Sequence, residues 1–528
     1  MTLTEINAQR DHEEKDDGGR IGQYKNLTKH EELRRRRTEC SVEIRKAKGA
    51  DMMMKRRNIV EVEDEEEYTS DTEANEIGKG TKLPSLTHDE IARILANNPT
   101  IEQTIQCMEA LRKSLSKNKN PPIDDVIKSG LLKALVQALS IDNNTILYEA
   151  AWAITNIVSG TTEQTLAAVQ CGATEPLVRL SVHDSAQISE QALWAVANIA
   201  GDSAQLRDYV IQCHGVEALM MLMDRVDKLE PNHVRTIAWA FSNMCRHKAP
   251  HAPIEVLRTL SKGLTILVQH PDTQVRQDAC WAVSYLTDGP DEQIELAREC
   301  GVLQHVVKFF TETESLVAPA LRTLGNVATG NDKLTQTVVD LGALEMLHPL
   351  FMRTRSTSIV KEICWLISNV IAGTQSQIQA VIDAKLLPII VQTLAKGDFK
   401  CQFEASWAVS NLAQGGTPRQ MMALVEESVI PAICGCLHQT NTDMLNNVLE
   451  TLYAVMNCVQ NNYPTQIDQL RDQIEELGGL DNLERLQESS SENIYNQSYR
   501  IISQFFTDDD NGHDAENTTP AGEGPYAF

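Results

Sequence analysis

The sequence predicts an all-α protein built as a helical-repeat solenoid, and three observations carry that expectation. An aromatic position recurs along the chain at Trp152, Trp194, Trp239, Trp281, Arg322, Trp365, Trp407 and Tyr453, spaced 42, 45, 42, 41, 43, 42 and 46 residues apart. Four residues after each stands Asn156, Asn198, Asn243, Tyr285, Asn326, Asn369, Asn411 or Asn457. Between these marks the apolar residues follow a helical rather than an alternating period. A repeat of roughly 40–47 residues with only helical patterning is that of a HEAT or armadillo array.

The elements can be justified in order. Glycines follow most copies, at Gly160, Gly201, Gly289, Gly330, Gly373 and Gly415, and read as stops for the long helix. A second, glycine-led helix recurs in "CGATEPLVRL", "CGVLQHVVKFF" and "LGALEMLHPLF". At roughly 100° per residue, with the tryptophan at 0°, the asparagine lies near 40°. The large apolar residues two and five positions on lie near 200° and 140°, so the core stripe centres opposite the tryptophan. The Trp/Asn ladder is therefore expected to face away from the core. Three positions before each tryptophan stand Glu149, Gln191, Thr236, Asp278, Pro319, Glu362, Glu404 and Glu450, near 60° on the ladder's own side. Indole faces hold the stem and cation of Lys or Arg. Asparagine can pin an extended backbone through both donor and acceptor, and carboxylates can take the cationic heads. The pattern predicts a groove for an extended Lys/Arg-rich peptide.

Charge is unevenly placed in a chain of net charge −25: residues 20–57 hold 13 Lys/Arg against 5 Asp/Glu, so the rest carries −33. A basic head on an acidic body suggests that the body attracts cations, its own head included. The same balance disfavours nucleic-acid binding by the body, which relies on cations meeting phosphates. The 12 cysteines are scattered without a C-x-x-C pair, as in a reduced intracellular protein, and no metal-ligand spacing is present. No run approaches the roughly 18 apolar residues of a membrane span, so no membrane partner is expected. No H-E-x-x-H, G-x-S-x-G, P-loop or G-x-G-x-x-G motif occurs, which argues against catalysis and a bound cofactor. Two rival readings remain at this point. An armadillo scaffold with a basic groove is opposed by the carboxylates beside the tryptophans, and a nucleic-acid binder would have to use the basic head alone.

A basic head carrying "RRRR" and "KRRN", followed by repeats with a W-x-x-x-N ladder, closely resembles importin α, the armadillo-repeat nuclear import adaptor, over essentially the whole chain beyond about residue 20. The resemblance implies a right-handed armadillo-repeat solenoid of about ten repeats over residues 86–507. It implies an importin-β-binding, autoinhibitory domain over 1–60, an acidic flexible linker over 61–85 and an acidic disordered tail over 508–528. Importin β would be held by Arg34, Arg35, Arg36, Arg37, Arg45, Lys46 and Lys48. Lys55, Arg56 and Arg57 would fold back as a pseudo-substrate. The major cargo site is expected at Glu149, Trp152, Asn156, Gly160, Thr165, Gln191, Trp194, Asn198, Asp202, Trp239, Asn243 and Asp278, with Gly160, Thr165 and Asp202 taking a key cargo lysine. The minor site is expected at Arg322, Asn326, Asp332, Glu362, Trp365, Asn369, Glu404, Trp407 and Asn411. Further implied partners are nuclear-localisation-signal cargoes and an export receptor at the C-terminal repeat, with the protein shuttling between cytoplasm and nucleus.

Overall fold

The computed structural model describes residues 55–56, 86–117 and 120–507. Arg57, the basic clusters at 34–37 and 45–48, the linker over 61–85 and the tail over 508–528 lie outside the described residues. From His88 to Phe505 the described chain is helices joined by short turns, without a strand among the described residues. The repeat unit is two short helices and a long one, as in Thr162–Gln170, Thr174–Leu180 and Ala186–Asp202.

Local chemistry sets the boundaries. Thr161 accepts from the Gln164 amide while the Gln164 side chain accepts from the Thr161 amide, a reciprocal cap that starts the first helix of the unit. The same device recurs at Thr374/Gln377 and Thr417/Gln420. The glycine-led turns between the two short helices are as read: Gly172 sits at φ +85 and Gly342 at φ +69, left-handed backbone that only glycine adopts without strain. His214, Lys385 and Ser428 take the corresponding turns with φ of 64, 57 and 63.

Of the glycine stops after the long helices, Gly160 and Gly373 stand just beyond the C-cap as read, and the others need correction. Gly201 lies inside Ala186–Asp202 and Gly415 is the last residue of Phe399–Gly415. Gly330 does end its helix, yet at φ −70, and none of the six has positive φ. They are not left-handed caps. At Gly160, Gly289 and Gly330 a Cβ would collide with Gln164, Gln293 and Leu334, residues of the following helix. At Gly330 close approach of the Leu334 side chain asks for glycine, whereas at Gly160 and Gly289 the atoms met are the movable ends of Gln164 and Gln293.

The chain forms two compact units, one ending at Gly373 and the other beginning at Thr374. In the first, the long helices Ile101–Leu115, Asn144–Val158, Ala186–Asp202, Pro231–Arg246, Thr273–Leu286, Glu314–Thr329 and Thr357–Ile371 pack in succession. In the second, Phe399–Gly415, Thr442–Asn462 and Glu492–Phe505 do the same. No single helix among the described residues is long and apolar enough to cross a membrane.

The expected outward-facing ladder is only partly found. Asn156, Asn198 and Asn243 are 0 % exposed, and Asn326, Asn369 and Asn411 are buried as well. Trp239 and Trp365 are buried, Trp239 with the Arg56 guanidinium over its ring and Asn198 beneath the Arg56 backbone, whereas Trp152, Trp194, Trp281 and Trp407 keep part of their surface open. The wheel argument assumed one buried side per helix. A long helix in a stacked array packs against its own repeat and also along both flanks against the neighbouring long helices, so its open strip is far narrower than half the circumference.

Candidate peptide-binding site

The burial of the asparagines has a simple cause. Asn198, Asn243, Asn326 and Asn369 each donate Nδ2–H to a backbone carbonyl of the preceding long helix: Thr155 at 3.4 Å, Ala197 at 2.8 Å, Ser284 at 2.9 Å and Gly325 at 3.2 Å. All four acceptors stand three residues after the tryptophan position of their own repeat. Asn156 donates instead to the Ser116 hydroxyl at 3.0 Å. One half of each amide thus joins two repeats, which fixes the other half, the carbonyl oxygen, in direction.

Across this row lie two residues of the basic head. The Lys55 ammonium donates to the Gly160 carbonyl at 2.9 Å and the Thr165 hydroxyl at 2.8 Å, and forms an ion pair with Asp202. Three acceptors for three N–H groups satisfy a compact ammonium. Thr165 is held in place because its hydroxyl also lies 3.2 Å from the Val158 carbonyl and 3.0 Å from that of Thr161. The Arg56 backbone is gripped on both sides: its N–H donates to Asn198 Oδ1 at 2.9 Å, and its carbonyl accepts from Asn198 Nδ2 at 3.0 Å and Trp194 Nε1 at 2.8 Å. Its guanidinium lies 4.7 Å from the Trp239 ring centroid and donates to Asp278 Oδ2 at 3.0 Å. Trp194 and Trp239 meet edge to face, centroids 6.3 Å apart.

Electrostatics follow from burial. Asp278 is 1 % exposed, and desolvation pushes its carboxyl above the ordinary range, opposed by Arg56 and by Gln274, which donates to it at 3.2 Å. Beyond Asp202, burial together with Arg246 and Arg207 depresses His247 to about 4.

Two of the carboxylates expected to meet peptide cations are already engaged by the chain's own arginines. Glu149 accepts from Arg112 Nε at 2.6 Å, and the same guanidinium lies 4.6 Å from the Trp152 ring centroid. Glu362 accepts from Arg322 at 3.0 and 2.8 Å. Burial acts to lower the Arg322 pKa, but Glu362 and Asp288 more than reverse it. Arg322 stands where other repeats have tryptophan, and Arg112 is 40 residues before Trp152, so it holds that position in the first repeat. Reading the period one copy further back would have found Arg112 and Ser116. Gln191 donates to the Thr155 hydroxyl at 2.8 Å.

Sequence reasoning also missed a copy of the lysine pocket. Gly330 and Thr335 repeat the spacing of Gly160 and Thr165, and the Thr335 hydroxyl lies 3.2 Å from each of the Ala328 and Asn331 carbonyls, as Thr165 lies near Val158 and Thr161. Asp332, by contrast, is an exposed residue at the start of Asp332–Asp340. Asn326, Glu362, Trp365 and Asn369 belong to the first unit. Glu404, Trp407 and Asn411 belong to the second, all on Phe399–Gly415. No group of His, Cys, Asp or Glu suited to a metal ion occurs among the described residues.

Fold and site together define an armadillo-repeat protein that holds a basic segment of its own chain along its long helices. Family models agree: the armadillo/beta-catenin-like repeat matches residues 119–159, 161–201, 203–246 and 374–414, the atypical Arm repeat 468–521, and the importin beta binding domain 20–109. The chain is 70 % identical over 524 residues to importin subunit alpha-2 of Caenorhabditis elegans, covering 98 % of this chain and 99 % of that protein. It is 35 % identical to importin subunit alpha-1a of Oryza sativa subsp. japonica, covering 96 % and 95 %. A crystal structure of an engineered protein superposes with a TM-score of 0.69 at 23 % identity, over 80 % of this chain and 99 % of that one, a likeness of fold alone. The chain belongs to the importin α family, whose members are transport adaptors rather than enzymes.

Proposed function

We propose that this chain is a nuclear import adaptor that binds Lys/Arg-rich localisation signals along its Trp/Asn row and links them to importin β through its N-terminal basic domain. Lys55 and Arg56 act as an internal stand-in for cargo, and importin β, by taking the basic head, frees the row. The observation that carries this reading is the seating of Lys55 among Gly160, Thr165 and Asp202, with Arg56 gripped by Asn198 and Trp194. A lysine followed by an arginine is itself a minimal basic signal, so what the row holds from its own chain is chemically what it would hold from another. Further basic clusters of cargo are assigned to the ladder residues Trp365, Asn369, Trp407 and Asn411. The export receptor is assigned to the C-terminal repeat, with shuttling between cytoplasm and nucleus as the consequence.

The deciding experiment measures the affinity of a short basic peptide for the full chain and for a chain beginning near residue 75, each with and without importin β. Removal of the head should tighten binding by about tenfold or more, because a tethered competitor acts at an effective concentration of order mM. Importin β should have the same effect on the full chain and none on the shortened one. Equal affinities throughout would overturn the internal-competitor reading.

A further inference from the structure

Resting on the basic-peptide reading, we propose that Asp288 is the carboxylate of a further cation site on the row, and that Lys248 occupies it and so withholds it from basic residues flanking a bound signal. The inference starts from what becomes of the Lys55 pocket in the repeats that follow. Its walls are a glycine eight residues after the tryptophan, a threonine thirteen after it, and a carboxylate eight after the tryptophan of the next repeat. One repeat on, the corresponding residues are Asp202, Arg207 and His247. There the chain inserts a cation of its own. Arg207, at the threonine position, is fully buried and donates to the His247 carbonyl at 2.9 Å and the Pro250 carbonyl at 2.8 Å.

In the next copy the three positions are His247, Ala252 and Gly289. None is a carboxylate, but Asp288, immediately before Gly289, supplies one, and Lys248, immediately after His247, forms an ion pair with it. The pair belongs to the row. The charge of Asp288 acts on Tyr285, at the asparagine position of the fifth repeat, and on Arg322, at the tryptophan position of the sixth. The side chains of Lys248 and Asp288 are 33 % and 32 % exposed, so the carboxylate is open to an incoming cation once Lys248 is removed. Neighbouring cations do not take its place. Arg322 is held by both oxygens of Glu362, and burial, then Lys248, keep His251 below its ordinary pKa. A peptide lysine that reaches Asp288 exchanges one ammonium for another and gains nothing, because Lys248 is tethered beside the site. Basic residues of a signal therefore count at some positions along the row and not at this one.

The test uses the full chain and peptides in which a Lys-Arg cluster is flanked on each side by about ten Gly/Ser residues, a span of several rungs at roughly 3.3 Å per extended residue. One lysine is added at each flanking position in turn, and each peptide is compared with its neutral parent on the same protein. The basic head competes equally with both members of a pair, so the affinity ratio reads the added lysine alone. Lys248→Ala should show a gain of about threefold, the scale of an exposed ion pair, at a flanking position where the wild type shows none. Lys248→Arg should follow the wild type, and Lys248→Ala/Asp288→Ala should lose the gain. Both residues lie outside the helices Pro231–Arg246 and Thr273–Leu286, and unchanged helical circular dichroism checks that the fold is kept. A Lys248→Ala profile identical to the wild type, or a gain that persists in the double variant, would overturn the proposal. Replacing the Lys-Arg cluster by Ser-Ser separates it from its premise. If that peptide binds as well as the parent, the basic-peptide reading fails; if it does not bind while Lys248→Ala follows the wild type, only the further site fails.

Discussion

Two pockets in the first unit share a glycine and threonine spacing and differ in the charge carried by the corresponding position of the next repeat. In both, a glycine eight residues after the tryptophan position is followed five residues later by a threonine, as Gly160/Thr165 and Gly330/Thr335. In both, that threonine hydroxyl is fixed against two backbone carbonyls. In the next repeat, eight residues after its tryptophan, Asp202 closes the first pocket, and the corresponding position of the sequence for the second is Gly373. The first therefore offers an ammonium a full negative charge, whereas the corresponding position of the second carries no charged side chain. A hydrogen bond to a charged group contributes roughly 1.5–3 kcal/mol against about 1 for a neutral one. The difference teaches that the repeat supplies the same glycine and threonine spacing more than once, and that the copy seen to hold Lys55 is the one with Asp202 beside it.

The harshest way to break the comparison is Asp202→Lys, which reverses the charge that faces Lys55. A like-charge contact of a few kcal/mol should reduce the affinity of the shortened chain for a single-cluster basic peptide by roughly 100-fold or more. Binding at wild-type strength in a titration calorimeter would show that the pocket is misassigned. A finer probe is the pair Thr165→Val and Thr335→Val. Each removes one neutral acceptor, for about a fivefold loss. The first should weaken every basic peptide, and the second only peptides with two clusters. A uniform effect from both would erase the distinction between the pockets.

The smallest effect concerns stability, at the position that carries Asp202 and Gly373 in their repeats. In the fourth repeat it is His247, eight residues after Trp239. Folding depresses His247 from 6.5 to about 4, through burial first and then Arg246 and Arg207. The unfolded state therefore binds the extra proton in that window. Stability is full above about pH 6.5 and declines as pH falls toward 4, by up to about 2 kcal/mol after allowing for solvent screening. His247→Gln should flatten that part of the urea midpoint against pH. An unchanged slope would exclude His247 as its source.

Much of this was legible in the chain. The period, the long helix with its glycine-led partner and the glycine-led turns follow from residue spacing, because helical periodicity and backbone handedness are local properties; the other short helix of the unit, as in Thr162–Gln170, was not read. The chemistry of the site was legible too, because indole, amide and carboxylate recur together, whereas Lys55, Gly160, Thr165 and Asp202 were named by the resemblance to importin α. Pairing was not. That Glu149 belongs to Arg112, Glu362 to Arg322 and Asp288 to Lys248 depends on which residues of adjacent repeats come opposite one another.

By itself, then, the sequence determined an all-helical repeat array with a ladder of cation-binding side chains and a basic head to match it. Only the tertiary structure decided that the ladder asparagines are buried cross-ties between repeats, that some ladder carboxylates are paired with the chain's own arginines, and that the pocket of Gly160 and Thr165 receives a carboxylate. The physical reason is the range of the interactions. A helical wheel describes one cylinder in one direction, whereas the inner long helices of each unit are packed on their core side and on both flanks. The register between neighbours, set by packing across some 40 residues of intervening chain, selects which charges meet.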